Sequence, residues 1–140
     1  MKHTPMADAP LIAVIEDEAT VLMATMVMLE SLGFGVVGGE GLDAVMEQLR
    51  MVGRWPDAIV ADYRLRHGRT GIEAICAIRA AADRLVPALV VTGDTSLAWK
   101  SQAADARLPV LQKPVSPSSL VAAVRRAVGA GEPGHGAARP

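Results

Sequence analysis

Four short apolar runs in this 140-residue chain each lead into a side chain that can do chemistry. Leu11 to Ile15 is followed by Glu16, Asp17 and Glu18, and Ala58 to Ala61 by Asp62. Ala88 to Val91 leads to Thr92, and the short run at Val110 and Leu111 leads to Lys113-Pro114. Carboxylates, a hydroxyl and an ammonium brought to one place form a specific chemical set. Crowded carboxylates repel and cannot all stay ionised without a counter-charge. A hard divalent cation such as Mg²⁺ provides one, taking one or two carboxylates, carbonyls and water while leaving room for phosphate oxygens. A carboxylate can also attack a phosphoryl group and become an aspartyl-phosphate. Metal, ammonium and hydroxyl would then neutralise or hydrogen-bond the three phosphoryl oxygens. Any one of these residues alone could simply be a solvated strand end. That account explains four ends together poorly.

The elements that must position them alternate. The run from Leu11 to Ile15 has strand length and suits a strand buried on both faces. A helical stripe follows at Val21, Leu22, Met26, Leu29 and Leu32, with Gly33 placed to end it. Phe34 to Val37 reads as a second strand, and Leu42, Val45, Met46 and Leu49 as the stripe of a second helix. Ala58 to Ala61 is a third strand, followed by a glycine-containing loop to Gly71. Ile72, Ile75, Cys76 and Ile78 mark a third helix, Ala88 to Val91 a fourth strand, and Ser96 to about Ala106 a weak fourth helix. Val110 and Leu111 make a short fifth strand. Ser116 can cap a last helix with Pro117 at its first position and Leu120, Val121, Val124 and Val128 inward. Five strands alternating with five helices imply a parallel sheet wrapped on both faces, a doubly wound α/β domain. Its site belongs outside the carboxyl ends of the strands, where the polar residues stand.

Composition narrows the function. At 51% apolar and 21% charged, the chain is of globular type, and 3% aromatics demands an aliphatic core. Fourteen basic against fifteen acidic residues leave a net charge of −1, no footprint for nucleic acid or anionic lipid. Cys76 is the one cysteine and can form no internal disulfide. No apolar run approaches the roughly 20 residues of a membrane span, and no signal peptide is evident, so a cytoplasmic location is expected. Residues 1–10 lack periodicity, and residues 129–140 are rich in Gly, Pro and Ala. Both are expected to be flexible segments flanking a domain at 11–128.

Taken in order, IEDE at Ile15 to Glu18, VADYRL at Val60 to Leu65, VVTGD at Val90 to Asp94 and LQKPV at Leu111 to Val115 resemble the receiver domain of two-component response regulators. The resemblance runs from about Leu11 to Val128. It implies a flavodoxin-like fold with strand order 2-1-3-4-5 and five helices. It also implies metal binding by Glu16, Asp17 and Asp62, with a backbone carbonyl from Arg64, and Asp62 as phosphoacceptor. Thr92 would bind a phosphoryl oxygen and Lys113 would pair with the phosphate, its bond to Pro114 being cis. The implied cofactor is Mg²⁺, with Mn²⁺ as a substitute. The implied partner is a histidine kinase or a histidine phosphotransfer protein, with no nucleic acid and no direct membrane contact.

Departures sharpen this expectation. The loop YRLRHGRTG after Asp62 lacks a Met-Pro pair and is one residue longer than the commonest form. Val110 stands where an aromatic switch residue is usual, which suggests a muted conformational response, with Trp99 as the other residue able to carry a signal. LPVLQKPVSPSSL looks most like receivers attached to hybrid sensor histidine kinases. Few residues follow the last helix, so a stand-alone receiver, or one excised from such a kinase, is expected rather than a transcription factor. Two rivals remain. A phosphatase-type hydrolase would also pass through an aspartyl-phosphate, but usually carries a second acid where Arg64 stands. A degenerate binding module would lack part of the chemical set.

Other signals carry less. Gly33, Gly35 and Gly38 spell G-x-G-x-x-G, but after a helix, whereas a dinucleotide fingerprint follows a strand and opens a helix. His3, His67 and His135 show no metal-ligand spacing. Cys76 is expected as a buried small hydrophobe, and Met23, Met26, Met28, Met46 and Met51 mostly as core fillers, with use on a partner surface as the lesser alternative.

Overall fold

The computed structural model describes residues 9–93 and 98–130, apart from the side chains of His67 and Ala98. Five strands, β1 (Leu11–Ile15), β2 (Gly35–Gly39), β3 (Ala58–Asp62), β4 (Ala88–Thr92) and β5 (Val110–Gln112), pair in parallel in the order β2-β1-β3-β4-β5. Between and after them run α1 (Ala19–Ser31), α2 (Leu42–Val52), α3 (Gly71–Ala82), α4 (Ala98–Asp105) and α5 (Pro117–Ala130). This is the flavodoxin-like doubly wound arrangement expected from the sequence.

Strand side chains alternate between two faces. Leu11, Ala13, Ile15, Ile59, Ala61 and Val90 pack with α2, α3 and α4, through residues such as Val45, Leu49, Ile75 and Trp99. Ile12, Val14, Val60 and Leu89 pack on the opposite face with Leu29 of α1 and Val124 and Val128 of α5. The inner strands β1, β3 and β4 are therefore apolar up to their last residues, because helices cover both faces there, while the edge strand β5 is only partly buried.

Several local expectations are corrected. In α1, Leu29 is fully buried, but Val21 is 40% exposed, and Leu32, just past the helix end, is 44% exposed. The segment from Ala19 to Leu29 contains only Thr20 and Thr25 as polar residues, so no polar face tells the helix which way to turn. Cys76 is exposed, on the outer edge of the α3 stripe and not within it, and Met23 and Met51, 63% and 80% exposed, fill no core. Phe34 precedes β2 instead of opening it; it is buried in the core between sheet, α1 and α5, with the Arg125 guanidinium 5.8 Å from its ring centroid. The fourth helix begins at Ala98, and its expected first residues, Ser96 and Leu97, lie outside the described residues.

Helix ends follow local chemistry. Gly33, at φ +95°, ends α1 in a conformation that costs a side chain dearly. Thr70 and Glu73 form a reciprocal capping box at the start of α3, a T-x-x-E signature legible in the sequence. Ser116 accepts the Ser119 N–H at 3.1 Å and caps α5 as expected. The glycine motif has a structural explanation: Gly38 donates its N–H to Gln48 Oε1 at 3.0 Å, and the Gln48 amide donates back to the Gly38 carbonyl. It ties β2 to α2, and a Cβ at Gly38 would lie 2.6 Å from Met26 Sδ of α1.

Candidate functional site

Among the described residues, the buried polar or charged ones are Glu16, Asp62 and Thr92, at 6%, 9% and 1% exposure. All three stand at the carboxyl edge of the sheet. Glu16 follows β1 and donates its backbone N–H to the Gly39 carbonyl at 3.1 Å. Asp62 closes β3, in register with Val91, so that Thr92 lies one residue beyond it on the neighbouring strand. Lys113 follows β5 and is anchored by its N–H to the Thr92 carbonyl at 2.8 Å. The Lys113-Pro114 bond is cis, as the resemblance implied.

Carboxylate oxygens of Glu16, Asp17 and Asp62 all lie within 4.8 Å of one another. Lys113 Nζ donates to Asp62 Oδ2 at 3.2 Å. Arg66 Nε stands 3.7 Å from Asp17 Oδ2. Glu16 Oε2 accepts the Glu18 N–H at 3.2 Å, while the Glu18 side chain itself is exposed at the head of α1. A cleft of about 550 Å³ opens from Glu16, Asp62 and Lys113 along the seam between α1 and α5, floored by Val14, Val60 and Val91.

The electrostatics are those of an acid cluster short of positive charge. Burial, with the neighbouring Asp62 carboxylate adding to it, pushes Glu16 up to about 7, despite the opposing backbone hydrogen bond. Burial alone would lower the Lys113 ammonium, but Asp62, with Glu16 and Glu18 behind it, outweighs this and raises it. A donor set of three converging carboxylates, one reluctant to ionise, fits a hard divalent cation.

Glu16 therefore makes stability depend on pH in a defined direction. Its folded value, about 7 against the ordinary 4.5, means that the folded state holds this proton more tightly. The favourable contribution is complete below about pH 4.5 and is lost as pH rises through about 7. Glu16→Gln, which copies the protonated form, is expected to match wild type near pH 4 without metal. Near pH 8 it should be more stable by on the order of 2–3 kcal/mol. Urea unfolding in chelator at the two pH values reads the difference, and a pH-independent difference would refute it.

The sequence-chosen residues thus converge, with two distinctions. Glu16, Asp17 and Asp62 form one cluster with Lys113 against it. Thr92 ends the adjacent strand, buried. Arg64 is exposed beside the ring of Tyr63, with its backbone bridged to Thr70. Two participants had no role in the sequence reading. Arg66 reaches Asp17, and Gly71 abuts Asp62: a Cβ at Gly71 would lie 2.2 Å from the Asp62 carbonyl oxygen. A loop position and a helix-opening glycine carry no signal of what they touch. Val110 is partly buried and packs in the cluster that holds Trp99, which is 8% exposed.

Fold and site define a class. The sequence model of the response regulator receiver domain family matches residues 12–125. The chain belongs to that family, the receiver domains of two-component signalling. It is 34% identical over 121 residues to the transcriptional regulatory protein PdtaR of Mycobacterium tuberculosis, covering 84% of this chain and 56% of that one. It is 32% identical over 120 residues to the phosphate regulon transcriptional regulatory protein PhoB of Klebsiella pneumoniae, covering 81% and 49%. The chain thus spans about half the length of these curated relatives. The crystal structure of a CheY-like response regulator receiver domain protein from Methanospirillum hungatei superposes with a TM-score of 0.77. It covers 89% of this chain and 97% of that one, and at 18% identity it shows the fold alone. Among the described residues, no helix is long and apolar enough to cross a membrane.

Proposed function

We propose that Asp62 accepts a phosphoryl group from the phosphohistidine of a histidine kinase or a histidine phosphotransfer protein. The observation that carries this is a buried carboxylate at a strand end, with an ammonium 3.2 Å away and two further acids within 4.8 Å. The Asp62 oxygen attacks phosphorus, the donor's N–P bond breaks, and the imidazole leaves. Lys113 then gives up its pairing with the carboxylate to face a phosphoryl oxygen, and the Thr92 hydroxyl donates to another. Glu16, Asp17, Asp62 and the Arg64 carbonyl would hold Mg²⁺, or Mn²⁺ in its place. Bound there, the cation supplies two positive charges against the phosphoryl oxygens. The unit that does this is residues 11–128, and it signals through protein contacts.

An intact-mass experiment with acetyl phosphate and Mg²⁺ tests the proposal. A persistent gain of one phosphoryl group supports a receiver. Rapid phosphate release over many turnovers would instead indicate a hydrolase, and no change an inert binding module. Arg64, two residues after the acceptor, offers no general acid for fast hydrolysis.

Lys113→Ala isolates the ammonium. It is no metal ligand, so Mg²⁺ binding should be retained or tightened. The labelling rate should fall about tenfold to a hundredfold, at or below the low end for losing one donor to a developing anion, because Lys113 is partly exposed. Calorimetry and timed mass spectra of the same preparation check both halves. Unchanged labelling would remove Lys113 from this role.

A further inference from the structure

The loop between β3 and α3 differs from a plain connection, and its fold delivers a charge to one of the three acids. Arg64 and Thr70 form an antiparallel bridge, and the Leu65 N–H donates to the Arg69 carbonyl at 3.2 Å. Between them Arg66–Gly68 makes one tight 3₁₀ turn, closed by Gly68 at φ +77°. The loop is therefore a stapled hairpin, and the staple sets the point from which the Arg66 side chain departs. Its Nε ends 3.7 Å from Asp17 Oδ2. The two side chains are 65% and 21% exposed, so the pair sits at the mouth of the cluster and can open without burying a charge.

We infer that Arg66 is a positioning residue that competes with the divalent cation for Asp17 and so weakens the cation affinity of this chain. This rests on the reading of Asp17 as a metal ligand. A cation that takes Asp17 and a guanidinium that pairs with it draw on the same carboxylate. Their positive charges also repel across a gap too short for solvent to screen fully. Cation binding must therefore open the pair or proceed against its field. Lys113 stands in a similar relation to Asp62, but there the charge has a proposed second task at the phosphoryl group. Arg66 is one loop turn away and has none, which makes it the tunable element. Such a device sets the Mg²⁺ concentration at which the site loads while leaving the acceptor untouched.

The test is Mg²⁺ titration calorimetry on the full chain, with Arg66→Ala, Arg66→Gln and Arg66→Lys beside wild type. At about 0.01 M ionic strength, where the screening length is about 30 Å, Arg66→Ala and Arg66→Gln should bind Mg²⁺ about threefold to tenfold more tightly. Near 1 M, with a screening length of about 3 Å, the gain should shrink to less than about twofold. Arg66→Lys, which keeps the charge, should stay within about twofold of wild type throughout. Arg69→Ala removes an equal charge from the same loop and should shift affinity less than Arg66→Ala. Melting in chelator shows that each variant is folded, and Gln keeps the length of the side chain should Ala loosen the loop. Unchanged or weaker binding by both neutral variants, or an equal gain from Arg69→Ala, overturns the role of Arg66. A wild-type chain that binds neither Mg²⁺ nor Mn²⁺ overturns the metal reading itself, and this inference with it.

Discussion

Asp62→Asn is expected to abolish phosphorylation while leaving the fold intact. Asn has nearly the shape of Asp, and Asp62 is a strand-end residue whose carboxylate faces Lys113, Glu16 and Asp17. The amide is no nucleophile toward phosphorus, so no acyl phosphate forms at this position. Lys113 loses its partner at 3.2 Å, yet one of three mutually repelling carboxylates is gone as well. These two effects oppose each other, so metal-free stability should change by less than about 1 kcal/mol. Mg²⁺ affinity should fall by about tenfold or more, because the cation loses a charged ligand. Intact mass after incubation with acetyl phosphate reads the first outcome, and calorimetry the second. Labelling at the wild-type level would move the acceptor elsewhere.

Gly71→Ala should produce the other large effect, from a residue with no chemistry of its own. The first residue of α3 lies against the end of β3, and its N–H donates to the Tyr63 carbonyl at 2.8 Å. A methyl there would lie 2.2 Å from the Asp62 carbonyl oxygen, 2.9 Å from its carbon and 3.1 Å from the Ala61 Cβ. Two of these are backbone atoms of the central strand, which no rotamer change can move. Either α3 backs away or the end of β3 shifts. Overpacking of this kind costs typically about 1–3 kcal/mol. Any shift of β3 also moves Asp62 from Lys113 and from the other acids, so labelling should slow by about tenfold or more, since a misplacement of about 1 Å at a reacting centre can cost about a hundredfold. Thr70→Ala provides the comparison. It removes the cap of the same helix at a cost of about 1 kcal/mol without crowding Asp62, and should label normally. A Gly71→Ala protein as stable and as fast as wild type would show that the contact relaxes freely.

How much of this was legible in the residues depends on which physical signal each feature leaves. The strands and their order of appearance were legible, because a strand buried on both faces must be apolar throughout, and LIAVI, AIVA and ALVV have no other easy use. The polar residue that ends each run marks where the sheet meets solvent. Glu16, Asp17, Asp62, Thr92 and Lys113 could therefore be chosen as a set before any geometry was known. Capping was legible for the same local reason at Ser116, and the T-x-x-E of Thr70 and Glu73 was there to be read.

Other features are properties of the packed molecule. Helix α1 has no polar stripe, so only the docked sheet decides that Leu29 faces inward while Val21 faces out. Cys76 lies on the margin of an apolar stripe, and the angle at which α3 sits on the sheet puts it in solvent. The elevation of Glu16 to about 7 depends on its burial and on Asp62, 46 residues away in sequence, neither of which local spacing encodes. The same holds for Gly71 against Asp62 and for Arg66 against Asp17. A residue's type states what chemistry it could perform, and strand periodicity states roughly where it stands. The distance to its partner is set only when β1, β3 and β5 close into one sheet and the loop after β3 folds back on itself. Charges and close contacts act over a few ångströms, and the chain alone does not specify separations on that scale.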